Sequence, residues 1–412
     1  MFLTKLALKN LARHRNRTLI TATIIAFAIF FYIFLDSMIG GMTEMSYDAI
    51  VDYEAGHLQV VQEEYWAEEE ELPLDNLLSI QPELIDVVED LEGYRASSPE
   101  LNFQAMLNSG SNEIPVIGKG IKPELFMEVF DFREQFVKGS MFSDGEYKAV
   151  IGQRLAELLK LETGDYITLL VRDVNKSFNT IDVEVGGFVH TANDRVNAAI
   201  VYLPMGLVSR ALNTGDRVSK LIIRLDDRNR APVLAGRLEG ILKSFDTSLS
   251  AHSWQELEAV SIAGVKQAGN QLIMGIILAI AAIAIINTVI LGALERMEEI
   301  GMMKAMGMQT KEVIYTFVLE SAGIGVLGGL SGVFLGAIGV WLLARFGLDF
   351  NLLFGMELSS FGVPVLGKLY GVWNPGSFIL VFCFGVLVSL LSSILPAYWA
   401  ADKDPIKAIY HR

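Results

Sequence analysis

A single cysteine, Cys383, is present among 412 residues, so no disulfide can form within the chain. Five histidines, His14, His57, His190, His252 and His411, are scattered and outline no metal site, and neither H-E-x-x-H nor a paired-cysteine motif occurs. No G-x-x-x-x-G-K-[ST] stretch is present, so these residues contain no phosphate-cradling loop. Ser109 in "NSGSN" and Ser143 in "FSDG" sit in turn-like contexts without the surroundings of a nucleophile. Positive charge is also scarce. A net charge of −15 argues against a nucleic-acid surface, which needs a basic excess.

Apolar residues are abundant. They make up 52% of the chain, with a mean hydropathy of +0.40, yet 20% of residues are charged. Spanning helices combined with one folded aqueous domain fit both figures. Four runs meet the length of about 20 apolar residues that a crossing requires. They are 18–40, 272–294, 313–345 and 376–396, the last ended by Pro396. The predicted fold class is therefore four transmembrane α-helices with a large α+β extracytoplasmic domain between the first and second.

Lys and Arg beside the spans set the orientation. Lys5, Lys9, Arg13, Arg15 and Arg17 precede the first span; Arg296, Lys304 and Lys311 follow the second; Lys403, Lys407 and Arg412 lie in the tail; the 346–375 loop has only Lys368. This places residues 1–17, 295–312 and 397–412 in the cytoplasm, and 41–271 and 346–375 outside. The N-terminal run reads as a retained signal-anchor because it is long and no small-residue cleavage site follows it.

The outer domain holds 20 basic and 38 acidic residues between positions 41 and 271, so the negative charge resides there. Its densest cluster is "EEYWAEEEELPLD", residues 63–75. This reads as a solvated loop in which Tyr65, Trp66 and Leu72 pack locally, with a site for a cationic partner as the alternative. Strands are predicted at 56–61, 166–171, 180–189 and 219–225. A helix is predicted over 82–93 with Gly93 as its stop, and another, followed by a turn, over 152–165. Together these imply a mixed sheet with helices.

Ionisable residues within the spans are few. Asp36 and Glu320 form no visible relay, which makes an ion-coupled carrier a weak reading. The third span instead carries glycine rows, Gly328, Gly332 and Gly336 with Gly325 and Gly329 beside them. In the fourth, Gly385, Ser389 and Ser393 repeat in the same way. Small residues at i+4 let helices approach closely in lipid. The two rows of the third span predict contact with several helices, including a second subunit.

Between the second and third spans lies "LERMEEIGMMKAMGMQTKEV", residues 294–313, with seven charged side chains. Glu295, Arg296, Glu298, Glu299 and Lys304 alternate with Met297, Ile300, Met302, Met303 and Met306. Gly307 supplies a helix stop. A short amphipathic helix tied to two spans can lie along the membrane face and take a push from below. Methionines suit a surface that must fit a moving partner.

The pattern R-x-x-E-I-G-x-x-K-A-x-G, here Arg296 to Gly307, resembles the signature loop of FtsX-like permeases of the MacB (type VII) ABC-transporter kind. The resemblance extends along nearly the whole chain. "LALKNLARHRNRT" (6–18) is similar to their cytoplasmic leading helix, "AVIGQRLAELLKLETGDYITLL" (149–170) to a segment of their MacB-like periplasmic core domain, and "SWQELEAV" (253–260) to the lead into the second span. "PAYWAADKDPIKAI" (396–409) resembles their closing tail, with Ile409 where Leu is usual. The resemblance implies a dimeric permease, homo- or heterodimeric, in the bacterial inner membrane, driven by two copies of a cytoplasmic ABC ATPase. Glu295, Arg296, Glu298, Glu299, Ile300, Gly301, Met302, Lys304 and Gly307 would couple to that ATPase, which alone would bind ATP and Mg; the chain itself would be non-catalytic and hold no cofactor. Mechanotransmission would then do work outside the membrane without a substrate channel. Length and layout are closest to lipoprotein-releasing (Lol-type) permeases, which would imply a periplasmic lipoprotein carrier. A MacB-type efflux permease with an adaptor protein, or an FtsX-like regulator of a cell-wall hydrolase, are the alternatives.

Overall fold

The computed structural model describes residues 11, 13, 15–110, 112–295, 297–355 and 367–402. Arg296, the leading segment 1–10, the 356–366 part of the second outer loop and the tail from 403 lie outside the described residues. The chain divides into two compact units. One comprises 1–43, 266–354 and 367–412; the other comprises 44–265 and 355–366.

The first unit is helical. Its elements are α1 (Arg15–Ile50), α2 (Glu258–Leu294), the short α3 (Met297–Ala305), α4 (Thr310–Phe346) and α5 (Pro375–Asp402), with α1 and α2 each continuing into residues of the second unit. Among the described residues, four helices are long and apolar enough to cross a membrane. Helices suit lipid because every interior N–H and C=O is bonded within the segment. Ile25, Ile29 and Ile33, one face of α1, share a buried cluster with Ile324 and Val340 of α4, Val381 of α5, and Ile285 and Val289 of α2. Leu327, Leu330 and Phe334 of α4 stay exposed, as lipid-facing side chains do.

Two helix ends differ from the sequence reading. α1 runs past position 40 to Ile50 and passes into a π-turn at Val51–Ala55. Gly41 lies inside it because a Cβ there would stand 1.9 Å from the Tyr370 carbonyl oxygen. α5 continues through Pro396 to Asp402 rather than stopping there. Proline removes one N–H and kinks a helix, but flanking packing can carry the helix through. Here Ala397 is fully buried against Val313 and Phe317.

The second unit is built on a ten-stranded mixed sheet. Its strands are β1 (Leu58–Gln62), β2 (Tyr94–Asn108), β3 (Glu113–Ile121), β4 (Phe136–Gly139), β5 (Lys148–Gly152), β6 (Tyr166–Arg172), β7 (Phe178–Val189), β8 (Ile200–Pro204), β9 (Lys220–Leu225) and β10 (Leu249–Ser253). The order is β10-β1-β9-β2-β3-β8-β5-β7-β4, with β6 bridging β2 and β7. The β3–β8 and β5–β7 pairs are parallel and the others antiparallel. The strands expected near 58, 166, 180 and 220 are all present. The helix expected over 82–93 is Pro82–Glu89, with Leu84 and Val88 buried and Gly93 at φ +81°. Gln153–Leu159 is likewise helical and ends at a left-handed Lys160.

β2 was not legible as a strand. Its central residues Ser97, Ser98, Glu100 and Asn102 are polar, and Pro99 interrupts them. All four polar side chains are nevertheless buried.

Candidate coupling segment and membrane-helix seam

α3 ends on a left-handed glycine. Gly307 has φ +94°. Its N–H donates to the Lys304 carbonyl at 2.9 Å, and the Met308 N–H reaches back to the Met303 carbonyl at 3.2 Å. These two bonds are the paired closure of a Schellman helix end, which satisfies carbonyls the helix would otherwise leave open. Two residues on, α4 begins with a capping box. The Gln309 N–H donates to Glu312 Oε2 at 3.0 Å, and the Gln309 side chain takes the Glu312 backbone N–H. The chain thus leaves one helix and enters the next with little slack.

The methionines divide into two sets. Met303 and Met308 pack against Val313, Phe317 and Ala397, where the bases of α4 and α5 meet. Met302 and Met306, one turn apart, are 51% and 76% exposed. One set anchors α3, and the other forms an adaptable apolar surface. Glu295 and Gly307 are exposed, Glu299 and Lys304 are half-buried, and Gly301 is buried. Glu298 and Ile300 belong to the α3 backbone, while Arg296 is outside the described residues.

The glycine rows of α4 are filled by this chain's own helices. A Cβ on Gly328 would lie 2.8 Å from the Ala22 carbonyl oxygen, and on Gly332 2.7 Å from that of Ala26. Gly336 faces Ile33 at 2.8 Å. On the neighbouring row, Gly325 meets Ser389 of α5 at 3.0 Å and Gly329 meets Phe382 at 2.8 Å. All five glycines are buried. Ser389, fully buried, donates its hydroxyl to the Ser321 carbonyl at 2.8 Å. At these five positions the rows meet several helices of the same chain, α1 on one side of α4 and α5 on the other. A small-residue row reports that a backbone comes close, not which chain owns it. Gly339, against the Phe30 ring at 3.0 Å, extends the row and was missed because its spacing from Gly336 is i+3. In the second half of α1, Asp36 Oδ2 accepts from the Asn374 side-chain amide at 3.2 Å.

Within the second unit, residues 44–55 are tied to the sheet by an arginine. Arg228 forms ion pairs with Glu44 and Asp48, and its guanidinium lies 5.5 Å from the centre of the Trp254 ring. Trp254 donates its Nε1–H to the Arg228 carbonyl at 3.1 Å and also packs on Tyr47. Arg224 holds Asp52 at 2.7 Å. Sequence reading did not find this joint, because its members are far apart in the chain. Among the described residues no group of three or more His, Cys, Asp or Glu is placed to hold a metal.

The FtsX-like permease C-terminal model matches residues 272–405, and the MacB-like periplasmic core domain model matches residues 18–241, more than half of the chain. This chain belongs to the FtsX-like permeases with a MacB-like periplasmic core. The permease is 23% identical to the lipoprotein-releasing system transmembrane protein LolC of Neisseria meningitidis, over 82% of this chain and 83% of that one. It is 24% identical to LolE of Haemophilus influenzae over 76% of each chain. It is 26% identical to the macrolide export ATP-binding/permease protein MacB of Rhodospirillum rubrum, over 63% of this chain but 37% of that one. The solved periplasmic region of MacB from Actinobacillus actinomycetemcomitans aligns with 54% of this chain and 95% of its own at 12% identity, with a TM-score of 0.36. The permease is a multi-pass membrane protein with an α+β domain between its first and second spans.

Proposed function

We propose that this permease is the membrane subunit of an ATP-driven mechanotransmission machine that extracts lipoproteins from the outer leaflet of the bacterial inner membrane. Both termini and α3 face the cytoplasm, and residues 44–265 lie outside. A separate ABC ATPase dimer binds ATP and Mg and docks on Glu295 to Gly307. A second permease subunit completes the complex, and a periplasmic carrier receives the cargo.

The observation that carries the coupling part is the two-sided build of α3. Met303 and Met308 anchor it on α4 and α5, while Met302 and Met306 stand free of the helix pair. A push on the exposed face is passed to both spans because the Schellman end and the capping box leave no flexible link. α1 runs as one helix from Arg15 to Ile50, and Arg228 holds its last turns through Glu44 and Asp48. The lipoprotein part is supported by the match to LolC over 83% of that protein, against 37% of the Rhodospirillum MacB.

The test is reconstitution with the co-purifying ABC ATPase at matched subunit ratios. Gly307→Val should insert normally but lose most transporter-stimulated ATP turnover, because a β-branched residue resists φ +94°. Glu299→Lys adds repulsion at the docking face and should reduce it as well. Wild-type turnover in both variants would remove α3 from the coupling path. For cargo, ATP-dependent release of a fluorescent acylated lipoprotein from proteoliposomes into a soluble carrier is expected. Energised efflux of macrolide without such release would transfer the reading to the export class.

A further inference from the structure

α2 is the least covered of the four spans. Of its apolar stretch 17% is buried, against 28% to 33% in the others. Met274, Ala281, Ile285 and Val289 are buried and turn one side of it to the bundle. The opposite side is ordered. Ile273, Ile276, Ile280, Ile283, Asn287 and Ile290 follow one another at alternating steps of three and four residues, and Leu294 continues the series. That is the a/d pattern of a heptad repeat, with Asn287 at an a position, and it forms one seam along a helix. The four isoleucines from Ile273 to Ile283 are 50% to 66% exposed, Asn287 is exposed, and Ile290 is half-buried.

Asn287 is the polar member of the seam. The first charged residue after it, Glu295, lies eight positions on, about 12 Å along a helix axis. The Asn287 amide therefore stands inside the apolar layer. Its neighbour Thr288 returns its hydroxyl to the Ala284 carbonyl at 2.8 Å. The Asn287 side chain makes no such bond to another described residue.

These two features select a neighbour together. Lipid tails cover isoleucine as well as a helix does, so the apolar positions alone specify nothing. Hydrocarbon offers an amide no hydrogen bond, and leaving one unmatched there is costly. An amide is both donor and acceptor, so a second amide complements it fully, whereas a cation or a carboxylate answers only half of it. Two copies inserted in one membrane share an orientation. Around a two-fold axis along the membrane normal their α2 helices run parallel, each a position meets the same a position, and amide meets amide. A single asparagine at a also fixes the register of such a seam and restricts the number of helices in it.

We propose that α2 is the helix through which two copies of this permease pair in the membrane, along the Ile273–Ile290 seam, with Asn287 hydrogen-bonded to Asn287 of the second copy. The seam rests on the reading that a second permease subunit completes the complex, and takes that subunit to be a second copy. The glycine rows of α4 meet α1 and α5, and the α2 seam is a separate surface.

The experiment uses the full-length permease in a Cys383→Ser background. Single cysteines replace Ile276, Ile280 and Ile283 on the seam, and Gly275 of α2 and Leu327 of α4 at exposed positions off it. Oxidation of native membranes with copper phenanthroline should link each seam variant to its own copy and leave both controls monomeric. Association is read separately, by energy transfer between donor- and acceptor-labelled Ser177→Cys permease diluted in phosphatidylcholine vesicles. Asn287→Val should raise the dissociation constant about three- to twentyfold, the range of one interhelical hydrogen bond in a membrane bundle. Asn287→Gln keeps the amide and should recover part of that loss, which a purely apolar contact would not. Energy transfer in the wild type, with no preference for seam cysteines and unchanged association of Asn287→Val, would overturn the seam and leave the two-subunit reading standing. No energy transfer at any dilution would remove the second copy, and the seam with it. Links from seam cysteines to a different membrane protein alone would give the place to an unlike subunit and overturn the proposal.

Discussion

Replacing Gly332 by alanine isolates the α1–α4 seam. The added Cβ would lie 2.7 Å from the Ala26 carbonyl oxygen and 2.8 Å from Ile29 Cβ. Ordinary contact begins near 3.4 Å, so the helices must part locally by about 0.7 Å. A gap of that size forfeits a quarter to a half of each affected contact, and overpacking a filled site costs about 1–3 kcal/mol. Alanine returns up to about 1 kcal/mol through its helix propensity. The net expectation is a loss of about 1–2 kcal/mol. Gly275→Ala in α2 is the matched control: the same methyl meets nothing within 4 Å there, leaving stability unchanged or raised by about 1 kcal/mol at most. Unfolding of the purified permease by SDS titration, followed by tryptophan fluorescence, reads both. Equal stability of the two variants would refute close packing at Gly332. An unchanged monomer whose subunit association was lost would place the glycine row at the dimer interface.

His57 is buried and its Nδ1 accepts the Leu225 N–H at 3.0 Å, and burial, with Arg224 and Arg228 nearby, lowers its pKa to about 4. Its unfolded value is near 6.5, so the stability it contributes is complete above that and falls as pH drops from 6.5 towards 4, by about 3 kcal/mol at most. Hydrogen exchange at the Leu225 amide should accelerate over that window after correction for intrinsic rates. His57→Phe should lose protection at neutral pH and flatten the dependence; a pH-independent wild type would contradict this. Arg228→Met removes two ion pairs and a ring contact, so exchange across residues 44–55 should rise by the equivalent of about 1–2 kcal/mol, and unaltered exchange would mean the joint is ornamental. In a Cys383→Ser background, cysteines at the exposed Ser143 and Ser177 should react with a membrane-impermeant thiol reagent in cells with a permeabilised outer membrane, and one at Gln309 should not. Labelling only at Gln309 would invert the proposed topology. Ser97, buried in β2, cannot serve as a probe.

Much of the permease is determined by local sequence. Long apolar runs become helices because lipid offers the backbone no alternative partner, and Gly307 ends α3 because it takes a positive φ without penalty. The strands with regular apolar content were legible for the same reason: their pattern and their burial agree. Tertiary structure alone decided three things. It assigned the glycine rows of α4 to α1 and α5, since closeness is encoded in small residues but ownership is not. It joined Glu44, Asp48, Arg228 and Trp254, which are separated by up to about 200 positions and share no local signal. And it buried Glu100, Asn102, Lys119 and Lys220 on one sheet face. Read singly, such residues belong on a surface; only the register of five strands, pairing charge with charge, makes their burial tolerable.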